Sequence, residues 1–305
     1  MLEILGKTNI DFMGKRRWAF LFSGIMVVLG IVALVQIARG SANLGIDFAG
    51  GTAVQLKFEQ AIRIDEARKA LEANGLGSAE LQEFGQENKL LIRLKASTTI
   101  EEKVAERVVA VFTKEFSSNH FVVDSSTEIG PTIGQKLQGD ALIAILISFA
   151  GIILYVAARF EFRFGIAAAL ATFHDVLAVL GAFYILDKEI TLLVVTALLT
   201  LAGYSMTDTV VVFDRIRENL RMRRRESEET IINNAVNQVL SRTIVTSLTV
   251  VLVLIPLTLA GGEVLHDFSL ALLWGVIFGT YSSIFVASPL LLLWPGASGR
   301  LLKRS

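Results

Sequence analysis

Cysteine is absent from the 305 residues. That excludes disulfides, thiolate metal sites and cysteine nucleophiles. Histidine is scarce, with only His120, His174 and His266, and none of them forms a paired metal-ligand spacing such as His-x-x-x-His. No glycine-rich run leads into a Lys-Ser/Thr pair, so nothing marks a nucleotide-hydrolysing loop. A charge bias is also lacking. The 29 Lys and Arg balance 29 Asp and Glu, and no basic excess points to nucleic acid. We therefore expect no metal, no cofactor and no enzymatic activity, with energy drawn from a gradient or a partner.

What is present is apolar sequence in long runs. Hydrophobic residues make up 53% of the chain and the mean hydropathy is +0.58. Runs of about 20 apolar residues recur, the length a helix needs to cross a bilayer. The expected fold is a polytopic α-helical membrane protein of six spans, with one exterior α+β domain between the first and second. Residues 1–17 are a polar segment ending in Lys15-Arg16-Arg17. Residues 18–38 are the first span, uncharged from Trp18 to Ile37. This run is about twice the length of a signal-peptide core and no small-x-small cleavage site follows it, so we read an uncleaved helix with Trp18 at the interface.

Residues 39–139 have the composition of a soluble domain. Alternation and helical spacing predict strands at 52–59, 79–84, 89–94 and 121–128, with helices at 64–74 and 99–116. The order β-α-β-β-α-β is that of a ferredoxin-like unit. Its charge is mixed and it has no nucleophile-base pair, and His120 reads as a strand-edge residue. A binding or mechanical role suits it better than chemistry. Residues 140–295 hold five more spans, at about 140–158, 164–186, 190–213, 243–262 and 268–294, with an amphipathic segment at 214–241. Residues 296–305 close the chain.

Basic residues set the orientation. With the N-terminus cytoplasmic, the cytoplasmic segments hold sixteen Lys and Arg, and the two short exterior loops hold one, Lys188. Both termini are then inside and the 39–139 domain is outside. The run Arg221-Met222-Arg223-Arg224-Arg225 reads as a headgroup-facing stretch that enforces this topology.

One residue departs from the apolar pattern most sharply. Between Thr191 and Phe213 the single charged residue is Asp208. A carboxylate at that depth costs about 2.5–3.5 kcal/mol on insertion scales and by default marks function, the alternative being an acid tolerated through a neighbouring helix. At 100° per residue, Tyr204, Ser205, Val212 and Arg215 share its face, with Thr207 and Thr209 flanking. On the fifth span Arg242, Thr246, Thr249 and Pro256 form a stripe, and Arg242 stands at a depth comparable to Asp208. Arg242 is either an ion-pair partner for that acid or a snorkelling anchor. On the third span His174 and Asp175 lie near the midplane, about 100° apart, so they do not both face one partner. Asp175 is either a second proton-relay or helix-coupling group, or an acid hydrogen-bonded to a neighbouring helix for assembly. Gly275 and Gly279 form a small-xxx-small pair on the last span, a common pattern.

Taken together, several stretches resemble the SecF branch of the bacterial SecD/SecF protein-export family, in the resistance-nodulation-division superfamily of proton-driven exporters. They are Leu44-Gly45-Ile46-Asp47-Phe48-Ala49-Gly50-Gly51-Thr52, Ile129-Gly130-Pro131-Thr132-Ile133-Gly134, Phe173-His174-Asp175, Gly203-Tyr204-Ser205 with Asp208, Asp214-Arg215-Ile216-Arg217-Glu218-Asn219 and Ser241-Arg242-Thr243. The family often has Asn where Thr207 stands. The resemblance implies a SecD partner of similar design, contact with the SecYEG channel and its helpers, an exported unfolded polypeptide as substrate, membrane lipids around it, and a place in the bacterial plasma (inner) membrane. It also implies that Asp208 and Arg242 serve proton conduction, with His174, Asp175, Tyr204 and Ser205 as relay or coupling candidates. A drug or lipid exporter of the same superfamily would need a second half, which this chain lacks. A non-conducting structural factor of the translocon would have no need of an intramembrane acid.

Overall fold

The computed structural model describes residues 8–84, 88–95, 103–222 and 226–293. Expectations for residues 1–7 of the polar segment, for the start of the second soluble helix near Thr99, for Arg223 to Arg225 and for residues 296–305 lie outside the described residues. The chain divides into two units, one helical and one built on a sheet.

The sheet unit comprises Leu44–Ile143 and Ile190–Leu192. Helix α2 (Ile46–Ala49) leads into β1 (Gly51–Phe58), then α3 (Ile64–Ala73), β2 (Glu80–Phe84), β3 (Lys89–Lys95), α4 (Val104–Glu115) and β4 (Phe121–Ile129). The strands pair antiparallel in the order β2-β3-β1-β4, the ferredoxin-like arrangement. The alternation that predicted β1 has a simple cause: Val54, Leu56 and Phe58 are all buried on one face. They meet Ala67 and Leu71 of α3 and Val108 and Phe112 of α4 in one core. Phe112 is fully buried and packs on Phe58, Phe116 and Phe121. A fully buried side chain of this size contributes about 1.5–3 kcal/mol.

The two glycine-bearing stretches meet at the base of this sheet. Gly50 has a φ of 72°, and a Cβ there would lie 3.1 Å from the Pro131 backbone. That conformation and that closeness both call for glycine. Gly134 sits against the Phe48 carbonyl, which also accepts a hydrogen bond of 2.8 Å from Gln138. Leu44 bridges to Ile190, and the Asp47 carboxylate accepts from the Leu192 amide at 2.9 Å. Leu192 begins the helix that carries Asp208, so Asp47 caps that helix from far along the chain.

Six helices among the described residues are long and apolar enough to cross a membrane. They are α1 (Arg16–Ala38), α5 (Pro131–Arg159), α6 (Phe162–Ile185), α7 (Leu192–Met222), α8 (Glu228–Ala260) and α9 (Gly262–Ser282). α9 continues through a π turn at Ser283–Ala287. The 214–241 segment is no separate element, because α7 runs on to Met222 and α8 starts at Glu228, capped by Ser227. In the helical unit, α6, α7 and α9 form the buried centre, while α1 and α8 expose most of their surface. α1 and α6 approach closely through glycine. A Cβ on Gly30 would fall 2.3 Å from the Leu177 carbonyl oxygen, and one on Gly181 would fall 2.9 Å from the Gly30 nitrogen. At the end where α7 and α8 extend, Arg159 pairs with Asp214 at 3.0 Å and Arg163 with Glu228 at 3.7 Å. Residues before α1 fold onto α8 there. Asn233 and Asn237 bind the backbone of Ile10 and Phe12, and Phe12 and Met13 are buried.

Candidate functional site

α7 brings Asp208 into the centre of the helical unit, where only 6% of the residue is exposed. Its partners are hydroxyls of α8. Thr246 donates to one carboxylate oxygen at 3.5 Å and Ser247 to the other at 3.4 Å. These are long contacts, each weaker than an ordinary hydrogen bond. Ser247 also lies 2.5 Å from the Thr280 hydroxyl on α9, so three helices converge on one acid. Tyr204, a turn before Asp208, has a buried hydroxyl without a hydrogen-bond partner among the described residues.

Arg242 is exposed, one turn from Thr246 on α8. Among the described residues no ion pair joins it to Asp208, whose contacts are Thr246 and Ser247. Arg215, which helical geometry put on the Asp208 face, binds Glu218 at 2.5 Å and Gln238 at 2.6 Å instead. The cations near this acid thus stand off, and neutral hydroxyls occupy the first contacts.

A second buried acid organises the same helices. Asp175 on α6 is fully buried. One oxygen accepts from Ser205 of α7 and from Ser282 of α9, the latter at 2.7 Å. The other lies 2.9 Å from His174 Nδ1. The two neighbours therefore bond to each other, because the side chains bend back across the angle that separates their Cβ atoms. The ring of His174 also faces Tyr281, whose hydroxyl donates to the Ala19 carbonyl at 2.8 Å. Ser205 was placed with Asp208 by helical geometry and is found on Asp175. Gly279 lets α9 reach it: a Cβ there would sit 3.2 Å from the Ser205 Cβ, and one on Gly275 would overlap Leu201.

Ser247, Thr280 and Ser282 escaped the sequence reading. Isolated hydroxyl residues are common in membrane helices, and their importance depends on which helix stands opposite. The signal that was available is spacing: Ser247 lies next to Thr246, and Thr280 and Ser282 follow directly on the Gly275-Gly279 pair.

The remaining polar feature is a stripe at the surface. Thr196, Thr200, Gly203 and Thr207 of α7 are exposed, as are Arg242, Thr246 and Thr249 of α8. The hydroxyls of Thr200, Thr207 and Thr249 donate back to carbonyls of their own helices.

Six apolar helices, two acids sunk among them and one soluble sheet unit define a multi-pass membrane protein of the transport class. Comparison with known proteins narrows this. Residues 108–296 match the model of the protein export membrane protein SecD/SecF C-terminal family, and residues 43–62 match the SecD/SecF GG motif. The protein translocase subunit SecF of Thermodesulfovibrio yellowstonii is 52% identical over 295 residues, covering 96% of this chain and 97% of that one. The protein translocase subunit SecF of Calditerrivibrio nitroreducens is 41% identical, covering 96% of each. The crystal structure of SecDF, a translocon-associated membrane protein from Thermus thermophilus, superposes with a TM-score of 0.81 at 35% identity. It is matched over 96% of this chain and 39% of its own length, so the chain spans about two fifths of that protein. The chain belongs to the SecD/SecF family of protein-export membrane proteins.

Proposed function

We propose that this chain is the SecF-type half of a proton-driven complex that completes the export of unfolded polypeptides across the plasma membrane. Its other half is a SecD-type subunit, and the pair works beside the SecYEG channel. Both termini are cytoplasmic and the sheet unit faces outward. The chain moves protons and a polypeptide and makes or breaks no covalent bond.

The observation that carries this reading is the setting of Asp208. It lies midway along a helix long and apolar enough to cross a membrane, held by two long hydroxyl contacts, with no ion pair to a cation among the described residues. An acid locked in a tight ion pair would be a structural fixture. One surrounded by hydroxyls, with Arg242 one turn from Thr246 on α8 and not ion-paired to it among the described residues, has room to gain and lose a proton as its surroundings change. Protonation and release then bias the helices between two arrangements, each stable in one charge state. The exposed stripe beside it supports the partner. Threonines and an arginine facing hydrocarbon are poorly placed in a lone subunit, and a second set of helices laid against α7 and α8 would cover them.

The test is export into vesicles holding the complex, with and without an uncoupler. The reading predicts that the stimulation due to this chain disappears when the gradient collapses. Stimulation that persists unchanged would make the chain a structural factor.

A further inference from the structure

Ser247 stands between two helices, and its hydroxyl is asked for twice. Its Oγ is 3.4 Å from Asp208 Oδ2 on α7 and 2.5 Å from Thr280 Oγ1 on α9. The Thr280 hydroxyl is also 2.7 Å from the Val276 carbonyl oxygen of its own helix. Each hydroxyl owns one hydrogen and can accept others. Two hydrogens therefore serve three contacts, and the charge on Asp208 decides how they are shared.

When Asp208 is ionised it can only accept, so Ser247 gives it the hydrogen. The short Ser247–Thr280 contact then takes the Thr280 hydrogen, and the Val276 carbonyl loses it. When Asp208 is protonated it donates to Ser247. The Ser247 hydrogen turns to Thr280, and the Thr280 hydrogen returns to Val276. The proton count balances in both states, with one proton gained at Asp208 and every other hydrogen only redirected. We propose that Ser247 and Thr280 are positioning residues that carry the charge state of Asp208 onto α9. This rests on the reading of Asp208 as the proton site.

α9 is suited to respond. Two residues beyond Thr280, Ser282 is bonded to Asp175, and the π turn at Ser283–Ala287 begins next. A π turn carries one residue more than an α turn and is frequent at functional sites. Here it is held by the Ser288 hydroxyl, which donates to the Ser283 carbonyl at 2.7 Å. The other charged or titratable groups around Asp208 are Arg242 on α8 and Tyr204 on α7. Tyr204 also adjoins Ser247, and α9 contributes hydroxyls.

The experiment uses the full chain, assembled with its SecD-type partner and the channel in vesicles, and checks assembly by pull-down. Thr280→Val keeps the branched shape and removes the hydroxyl; Ser247→Ala removes the middle of the relay from a different helix. Each should lower gradient-driven export about fivefold, the effect of one net hydrogen bond. Thr280→Ser should restore it. The carboxyl infrared band of Asp208, identified by its loss in Asp208→Asn, should move in Thr280→Val and return in Thr280→Ser. A packing role alone would leave that band in place. If Asp208→Asn abolishes the gradient response while Thr280→Val and Ser247→Ala keep it, the relay is wrong and the proton site stands. If Asp208→Asn itself keeps the response, both fall.

Discussion

Arg242 shows best how a residue's partner decides its meaning. Its position on α8 places it near Asp208, but the contacts of that acid are Thr246 and Ser247. On the proposed reading, Arg242 promotes release of the proton by approaching the carboxylate in one state only. Arg242→Lys keeps the charge and loses the planar fork, so partial gradient-driven export is expected. Arg242→Met should be inactive, and full activity of the Met variant in vesicles would make Arg242 a surface anchor. Asp47 is a simpler case. Removing its cap on the first turn of α7 with Asp47→Ala should cost about 1 kcal/mol, seen as a lower midpoint of thermal unfolding in detergent. Asp208 stands out in the sequence as the one charge in an apolar run, and its burial in the helical unit follows from that position. The Ser205 assignment was not legible there, since helical angles say which residues share a face but not which helix that face meets.

At the scale of elements, periodicity located the soluble strands and helices within a few residues, because a sheet with one covered face imprints its alternation on the chain. It stopped short on α7 and α8. Their extensions beyond the apolar runs are polar, and they are held by Arg159–Asp214, Arg163–Glu228 and the chain before α1. Those contacts are distant in sequence and leave no local signal. Phe12 and Met13 were missed for the same reason. Two substitutions probe the packing directly. Phe112→Ala should destabilise the sheet unit by about 3–5 kcal/mol, read as lost hydrogen-exchange protection in β1 and β3, while the membrane helices stay protected. Gly30→Val puts a branched Cβ where the Leu177 backbone already lies. It should separate α1 from α6, lowering resistance to thermal unfolding in detergent, whereas Gly24→Val, with open space at its Cβ, should not.

For the whole molecule, the two glycine-bearing stretches constrain how the sheet unit can be removed. Gly51 is paired with Ile129 across β1 and β4, so residues 53–128 can be replaced by a short turn without disturbing Gly50, Pro131 or the Asp47 cap. Such a chain should insert and bind its partner but give no gradient-driven export. Full stimulation would show that the sheet unit is dispensable. The central claim, that Asp208 carries the proton, is tested most directly by Asp208→Asn. Asn has nearly the same volume and can still accept from Thr246 and Ser247, but it cannot gain or lose a proton. The measurement is export into vesicles with and without a proton gradient, using a complex shown by pull-down to be assembled. The account predicts normal assembly and no response to the gradient. An Asn variant that assembles and responds like the parent would contradict it.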